Sequence, residues 1–300
     1  MSHTLSIVIA VQHGQQNLRE FLRRLGEVPL GTVEVLVCHT DADPDVPGLV
    51  EGRAGVRVLR GDPGSLIPHL WRDGIRAARH DGVAVTTAHC LPGDGWLERL
   101  LGADLQQHAG VGGVFENADD ADAVGWAIFL QRYLPLARPQ QARIVQEIAA
   151  DNAIYRRRLL MSHPDLLADG FWEPEFHARF RRAGLTLAID PSLVVLHANR
   201  YGPLQFFRQR LAHGTRFGSS RGRTLPPGKR ILLILAAPLL PFVFLCKILR
   251  ACLRHPRSRM HLLPALPWLA FFLTAWGLGE ARGTLSSMIT PRSAPTGVAQ

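Results

Sequence analysis

The chain has 300 residues, enough for one large domain with an appendage, and a formal net charge of +9. Its excess arginines follow residue 200 and flank apolar blocks, and no DNA- or RNA-binding motif is found. We therefore expect membrane lipids, not nucleic acid, as the partner of that region. The four cysteines lack C-x-x-C spacing, which argues against a disulfide framework. Because the first apolar run is short and lacks a basic leader, we expect the large domain to stay in the cytoplasm.

The first ninety residues alternate between strand and helix patterns. Residues 5–11 (LSIVIAV) form an apolar, β-branched run typical of a buried parallel strand, and residues 17–25 place their apolar side chains on one helical face. A further helix is predicted over 66–79, and further strands over 33–38, 56–59 and 83–86. This order predicts a parallel sheet that binds its ligand at the carboxyl ends of the strands. The residues expected to face that crevice are 12–17, 39–45 and 87–90.

The next stretch is less regular. The patterns predict a helix over 96–107, a strand over 111–115, helices over 151–160 and 174–183, and a strand over 185–189. Residues 203–217 form an amphipathic basic segment. This segment is either a helix packed on its own domain or an interfacial membrane helix, and we favour the interfacial helix because an apolar block follows closely.

Two apolar blocks, residues 231–249 and 262–279, end the chain. The first is about 28 Å long as a helix, just enough for a hydrocarbon core of about 30 Å. Two simple spans would place the arginines between the blocks on the far side, against the positive-inside tendency. Prolines lie inside both blocks and favour kinks. A re-entrant pair satisfies both facts, while two ordinary spans and a buried soluble hairpin remain alternatives.

The sequence therefore predicts four regions. Residues 1–200 form the large domain, 201–228 a basic interfacial segment, 229–285 two membrane-associated or transmembrane helices, and 286–300 a disordered tail.

Several segments, taken in order, resemble a known family. They are LSIVIAV at 5–11, EVLVC at 34–38, DGIRAA at 73–78, NAIYRR at 152–157 and FWEPEFHAR at 171–179. Together they resemble the membrane-associated, inverting family 2 glycosyltransferases of the GT-A fold, over nearly the whole chain. The resemblance implies an α/β fold: a GT-A nucleotide-binding domain with a mostly parallel sheet, followed by C-terminal membrane helices.

The same resemblance implies a function. It implies transfer of a hexosyl-type sugar, with inversion, from a nucleoside diphosphate sugar, with a UDP-sugar favoured. The acceptor would be lipid-linked or a membrane-proximal saccharide, in envelope polysaccharide or glycolipid synthesis. The enzyme would sit at the inner or plasma membrane with its catalytic domain in the cytoplasm. Processive synthesis is not expected, because Gln209 stands where the Gln-x-x-Arg-Trp motif has its Trp.

The resemblance also assigns residues to roles. Glu173 aligns with the catalytic base, a carboxylate that takes the proton of the acceptor hydroxyl, and this role is compatible with opening a helix at Pro174. The residues assigned to the nucleotide sugar are Val11, His39, Asp41, Asp73, Thr87 and His89. The residues assigned to the acceptor are Asn152, Trp172, Arg179, Gln205 and Arg208.

The metal motif departs from the family pattern. The family's Asp-x-Asp, which holds Mg²⁺ or Mn²⁺ against the diphosphate, is replaced by Thr87-Ala88-His89. Three interpretations of His89 stay open: a ligand of a divalent metal (Mn²⁺ or Mg²⁺) together with His197, a hydrogen-bond donor to the diphosphate, or a structural histidine. The last leaves a catalytically silent GT-A domain that acts as a membrane scaffold as the alternative function. A basic lipid-binding protein without a nucleotide site is a third, remote hypothesis.

Overall fold

The structure is a computed structural model that describes residues 4–12, 14–118, 120–198 and 201–289. It divides into two compact units. The sheet unit comprises Met1–Asp120 and Leu136–Arg200, and the helical unit comprises Ala121–Pro135 and Tyr201–Gln300. This division differs from the predicted one at residues 121–135, which the sequence placed in the large domain. Their mostly apolar composition is that of a helix buried among other helices.

The strands all belong to the sheet unit. In chain order they are β1 Leu5–Val11, β2 Val33–His39, β3 Val56–Arg60, β4 Gly82–Thr87, β5 Cys90–Pro92, β6 Gly110–Asn117, β7 Arg143–Val145, β8 Asn152–Arg156 and β9 Leu187–His197. They form one sheet in the order β3-β2-β1-β4-β8-β6-β9-β5, with β7 paired to β9. Strands β1 to β4, β6 and β9 point one way, and β5, β7 and β8 run opposite. The predicted mostly parallel α/β sheet is confirmed.

The helices alternate with these strands and then continue alone. In chain order they are α1 Gln15–Leu25, α2 Val46–Val50, α3 Ile67–Ala77, α4 Trp96–Leu101, α5 Ala123–Arg132, α6 Arg157–Met161, α7 Pro164–Leu167, α8 Glu173–Arg182, α9 Pro203–Thr224, α10 Pro227–Ala236, α11 Leu240–Cys252, α12 Pro256–Met260 and α13 Leu262–Ile289. Helix α5 and helices α9 to α13 form the helical unit.

The core of the sheet unit explains the continuous apolar strands. Every residue of β1, β2 and β4 is buried, as expected for a sheet with both faces covered. Helix α3 packs against this sheet at Gly74, where an added Cβ would lie 2.2 Å from Val8. The indole of Trp71 donates a hydrogen bond to the carbonyl of Thr86 at 2.7 Å. These contacts hold the start of α3 beside the carboxyl ends of the strands.

Two predicted helices are corrected. The helix predicted over 151–160 is wrong: residues 152–156 form β8, an antiparallel strand between β4 and β6, and only α6 follows it. A short apolar run fits a buried strand and a helix equally well, and strand pairing decided between them. The helix predicted over 96–107 ends at Leu101, where Gly102 closes it.

In the helical unit, α9 and α13 lie in close contact through glycines. An added Cβ at Gly218 would lie 2.2 Å from the carbonyl oxygen of Glu280, and one at Gly283 would lie 1.9 Å from that of Thr215. Small residues therefore let the two backbones approach, as in membrane helix pairs. Glu280 is buried and is paired with Arg221.

Two segments of the helical unit could cross a membrane by length and composition. They are Pro227–Cys252, with a mean hydropathy of 2.5, and Leu262–Ile289, with 1.5. Helix α13 continues through residues 286–289, so the predicted disordered tail does not begin at 286. The remainder of that predicted tail lies outside the described residues.

We expect Glu34→Gln to destabilise the sheet unit in a pH-dependent way. The Glu34 carboxylate accepts hydrogen bonds from Ser6 Oγ (2.7 Å), the Arg79 amide (2.7 Å) and Arg57 Nη1 (3.0 Å). Burial alone would raise the pKa of Glu34, but these donors outweigh it and hold the pKa below its ordinary value. The stabilisation is therefore complete above the unfolded pKa of about 4.3 and is lost as the pH falls through the lower folded value.

Chemical denaturation at pH 7 should show that Glu34→Gln lowers the free energy of unfolding by about 1–3 kcal/mol. The difference from wild type should shrink as the pH is lowered toward 3. The exposed Glu27→Gln serves as the matched control and should leave stability unchanged at both pH values. An equal loss for Glu34→Gln at pH 7 and at acid pH would contradict the linkage.

Candidate active site

The carboxyl ends of three neighbouring strands meet at one edge of the sheet unit. Val11 of β1 pairs with His39 of β2, and Ala10 pairs with Thr87 of β4. All of these residues are buried. The structure thus brings together Val11, His39 and Thr87, three of the residues predicted for the nucleotide sugar.

The loop after β1 is held by an aspartate. Asp43 Oδ1 accepts hydrogen bonds from the backbone amides of Gly14 (3.0 Å) and Gln15 (3.3 Å), which open α1. A carboxylate at a helix N-terminus is stabilised by the helix dipole. Asp41, the aspartate chosen from the sequence, instead forms a surface ion pair with Arg60 at 2.5 Å. Asp43 is therefore the carboxylate that holds the loop after β1.

His39 and Asp73 lie at the same end of β2. His39 Nδ1 is 3.1 Å from the carbonyl oxygens of both Thr40 and Asp43, so the ring fixes the turn after β2. Asp73 on α3 pairs with its neighbour Arg72 at 2.7 Å. Burial and then the charge of Asp73 raise the pKa of the Cys38 thiol, which places that carboxylate beside the penultimate residue of β2.

The turn between β4 and β5 presents the residues that replace the Asp-x-Asp motif. The Ala88 amide donates to the Ala10 carbonyl at 3.1 Å, and the His89 carbonyl accepts from the Ala198 amide at 2.8 Å. Thr86 Oγ1 donates to the backbone carbonyl of Asp151 at 2.8 Å, and Thr87 Oγ1 lies 3.3 Å from the Asp151 carboxylate. Asp151, the residue that precedes β8, therefore lies against this turn.

His89, Cys90 and Asp151 form a group that could hold a metal ion, called here the His–Cys–Asp cluster. One potential ligand atom from each residue lies within 4.8 Å of the others, and all three residues are buried. Nitrogen, sulfur and oxygen donors together suit Zn²⁺ best and Mn²⁺ better than Mg²⁺, because Mg²⁺ prefers oxygen ligands. The donor set therefore fits a divalent cation, with the carboxylate that Thr87-Ala88-His89 lacks supplied by Asp151.

His197 stands beside this cluster. Its ring lies edge-on to that of His89 with centroids 5.6 Å apart, and its Nδ1 is 3.3 Å from Asn117 Oδ1. His197 also pairs with Cys90 across β5 and β9. The structure brings the two predicted metal-binding histidines together, but the atoms that converge with those of His89 belong to Cys90 and Asp151.

Glu173 opens α8 and is partly buried. One turn further on the same face of α8, His177 is fully buried between two partners. His177 Nδ1 is 2.6 Å from Glu147 Oε2, and His177 Nε2 is 3.0 Å from the Tyr155 hydroxyl. Because a carboxylate only accepts, Nδ1 carries a proton, and Nε2 is hydrogen-bonded to the Tyr155 hydroxyl. This chain of hydrogen bonds, from Glu147 through His177 to Tyr155, fixes the first turns of α8.

The charges of three carboxylates act on the buried hydroxyl of Tyr155. Burial raises the pKa of the Tyr155 phenol well above its ordinary value, and the charges of Glu173, Glu147 and Asp151 raise it further. The charges of Glu173 and Asp151 therefore both act on one hydroxyl. For Glu147, burial opposes ionisation, but the hydrogen bonds and charges of His177 and Arg181 outweigh it and lower the pKa.

The residues predicted for the acceptor belong to both units of the chain. Asn152 is fully buried, Trp96 Nε1 donates to its Oδ1 at 2.9 Å, and its Nδ2 donates to the Val114 and Leu193 carbonyls. That arrangement is structural, because the amide group is used inside the sheet. Trp172 lies directly before Glu173, with its indole donating to the Asp169 carbonyl at 2.8 Å.

The other three residues predicted for the acceptor divide between the two units. Arg179 forms an ion pair with Asp165 at 2.9 Å on the surface of the sheet unit. Gln205 and Arg208 lie on α9 of the helical unit.

Sequence reasoning missed several residues of this site. Asp151, Cys90, Tyr155, His177 and Glu147 were not selected, although Cys90 follows His89 and Asp151 precedes Asn152. His177 carries a usable signal, because it stands four residues after Glu173 on a predicted helix.

We expect Tyr155 and His177 to be energetically coupled. Tyr155→Phe removes the hydroxyl that is hydrogen-bonded to His177 Nε2. His177→Gln removes the ring that lies between Tyr155 and Glu147. A double-mutant cycle on the free energy of unfolding should give a coupling energy of about 0.5–3 kcal/mol. Additive losses from the two substitutions would show that the chain of hydrogen bonds does not act as a unit.

The order of the strands and their polar carboxyl ends define the class of protein: an α/β nucleotide-binding domain of the GT-A type. The sequence profile of glycosyl transferase family 2 matches residues 6–163, more than half of the chain. The chain belongs to glycosyl transferase family 2. None of the curated protein sequences matches it.

One solved structure supports the fold. The chain is similar to the mannosyltransferase PcManGT from Pyrobaculum calidifontis, in complex with GDP-Man and Mn²⁺, with a TM-score of 0.56 and 15% identity over 96% of this chain and 88% of that one. A mycobacterial protein aligns with a TM-score of 0.46 and 18% identity over 72% of this chain and 74% of that one. At 15% identity, the likeness to PcManGT concerns the fold alone.

Proposed function

We propose that the protein transfers a single sugar, with inversion, from a nucleoside diphosphate sugar to a lipid-linked or membrane-proximal saccharide acceptor. The observation that carries this proposal is the His–Cys–Asp cluster beside the carboxyl end of β4, where the Asp151 carboxylate lies 3.3 Å from Thr87 Oγ1. An inverting transfer needs a carboxylate near the acceptor and positive charge near the leaving diphosphate. Membership of the family supports glycosyl transfer.

In this proposal the chain's own residues divide the work. The nucleotide lies against the carboxyl ends of β1, β2 and β4, where Asp43 and His39 hold the two surrounding loops in place. Glu173 accepts the proton of the acceptor hydroxyl as that oxygen attacks the anomeric carbon from the side opposite the leaving group. A rigidly held α8 keeps the Glu173 carboxylate oriented toward the acceptor hydroxyl, because a small displacement of a catalytic base lowers the reaction rate strongly.

The His–Cys–Asp cluster is the proposed place for a divalent cation. His89, Cys90 and Asp151 would hold it, and when bound it would neutralise the charge of the departing diphosphate. The Mn²⁺ bound by PcManGT supports a cation in this fold. It does not choose between Mn²⁺, Mg²⁺ and Zn²⁺ for this chain, and the donor set favours the softer ions.

The donor and the location are also part of the proposal. The sequence favoured a UDP-sugar, while PcManGT binds GDP-Man, so both classes of nucleotide are candidates for this chain. The exposed apolar helices α10 and α11 support a membrane location, with the sheet unit in the cytoplasm and a role in envelope polysaccharide or glycolipid assembly.

Titration calorimetry of the detergent-purified protein tests this proposal. UDP-sugars and GDP-mannose are titrated with and without Mn²⁺, and radiolabelled sugar transfer to a membrane lipid extract is followed in parallel. We expect saturable binding of one nucleotide class and labelled lipid product. If no nucleoside diphosphate sugar binds under any metal condition, the transferase proposal fails and the silent membrane scaffold takes its place.

A further inference from the structure

Within the helical unit, α9 runs parallel to the second half of α13. Phe207 stacks near Phe271 with ring centroids 4.5 Å apart, and further along Gly222 abuts Ser287, whose Oγ would lie 2.2 Å from an added Cβ. The sequence number rises in the same direction on both helices. Helix α9 therefore occupies the same depth as α13 over residues 271–287.

Helices α10 and α11 run in the opposite direction along the same part of α13. Arg230 Nη1 donates to the Ser287 carbonyl at 3.1 Å, and Gly277 lies against Ala237 and Pro241. At the other end of α13, Trp126 of α5 stacks on His261 with ring centroids 4.0 Å apart. Helix α13 thus has neighbours along its length, although side chains such as Leu278 and Leu285 stay exposed.

The charges on α9 conflict with a membrane crossing by α13. Arg208 and Arg223 are exposed on α9, and Arg216 is partly so. If α13 crossed the hydrocarbon core, these side chains would lie at the same depth, where an arginine is costly. Arg221 avoids that cost through its ion pair with Glu280, whereas the side chains of Arg208 and Arg223 are exposed.

The outer surface of α10 and α11 has the opposite character. It exposes large apolar side chains, including Leu232 (65% exposed), Leu235 (72%) and Phe242 (68%). Cationic residues stand at both ends of this surface: Lys229 before it, and Arg250 and Arg254 after it, all exposed. An apolar face with cationic residues at both ends matches a leaflet of anionic lipid, in which hydrocarbon lies beneath negatively charged headgroups.

We propose that the helical unit binds a single anionic leaflet, with the outer face of α10 and α11 lying in it lengthwise, and that neither apolar segment crosses the bilayer. Both cationic ends then lie at headgroup level on one side, and the arginines of α9 stay out of the hydrocarbon. This inference rests on the membrane location within the proposed function. By length and composition alone, both segments could span a membrane. The inference assigns them attachment to one leaflet instead.

Thiol labelling at the two ends of α10–α11 tests this mode. Cys246 is the exposed native cysteine among the described residues, and Cys38, Cys90 and Cys252 are buried. In a Cys246→Ser background, Gly228→Cys and Met260→Cys each place a thiol at one end. Gly228 is exposed with open space for a Cβ, and Met260 is 76% exposed. Leu30→Cys, at a residue 63% exposed in the sheet unit, reports the side on which that unit lies.

Membranes from a bacterial expression host are labelled with a membrane-impermeant maleimide, as right-side-out and as inverted vesicles. We expect the three thiols to react in inverted vesicles and to be protected in right-side-out vesicles. Reaction of Gly228→Cys and Met260→Cys from opposite sides would overturn the proposal, because one crossing separates them. Protection of both from both sides would overturn it too, since headgroup-level thiols reach water.

A binding measurement separates this inference from the proposed transferase. Purified protein is sedimented with vesicles of phosphatidylcholine alone or with added phosphatidylglycerol, and Arg250→Gln/Arg254→Gln is compared with wild type. We expect phosphatidylglycerol to increase the bound fraction and the double variant to lose most of that increase. If neither vesicle binds, the membrane location and this inference both fail, while calorimetric donor binding still decides the transferase proposal.

Discussion

Glu173→Gln should lower sugar transfer by about 10²–10⁴-fold while leaving the affinity for the donor nearly unchanged. Glutamine keeps the size and the polar character of the side chain but cannot accept the acceptor's proton. Glu173 opens α8, a helix that His177 holds through two hydrogen bonds. Initial rates with radiolabelled donor, together with calorimetric donor binding, separate the loss of chemistry from a loss of binding.

Glu175→Gln is the matched control, since Glu175 lies in the same first turn of α8. It should retain most of the activity, because residues two apart on a helix point to different faces. Glu173→Asp should fall between the two, because it keeps the carboxylate but shortens its reach. If Glu173→Gln retains full transfer, or if Glu175→Gln loses as much, the assignment of the base is wrong.

Removal of one donor from the His–Cys–Asp cluster is expected to weaken divalent metal binding strongly. We expect Cys90→Ala and Asp151→Asn each to lower the affinity for Mn²⁺ or Zn²⁺ by at least about 10–100-fold, since even outer partners of a metal site contribute that much. Equilibrium dialysis with elemental analysis measures the bound ion directly. Metal-dependent transfer should fall in parallel.

Cys38→Ala is the control for Cys90→Ala. Both cysteines are buried near the ends of strands in the same sheet, but Cys38 lies in β2 outside the cluster. It should leave metal affinity unchanged. Tight metal binding that survives Cys90→Ala and Asp151→Asn would show that the ion, if used, is held elsewhere.

The strands of the nucleotide-binding half could be predicted because their pattern is local. Residues 5–11 and 33–39 are mostly apolar and rich in β-branched side chains, which is typical of a strand covered on both faces. Residues 152–156 were misassigned because their pattern does not distinguish strand from helix. Only their pairing with β4 and β6 settles that choice.

Only some residues of the site could be predicted from the sequence, for a related reason. Glu173 and His89 could be selected because each stands in or beside a short motif. Asp151 could not, because it is far from His89 in the chain and reaches it only through the pairing of β8 with β4. The network of Glu147, His177 and Tyr155 likewise joins residues from separate segments.

By itself the sequence determined the family, the α/β class with its parallel strand edge and the apolar end of the chain, since periodicity, composition and motif order are local properties. The tertiary structure decided which side chains meet. It brought Asp43 to the loop after β1, gave His89 the neighbours Cys90 and Asp151, and laid the arginines of α9 along α13. The physical reason is that strand register and helix packing set distances between residues that are remote in the chain, and binding and catalysis depend on those distances.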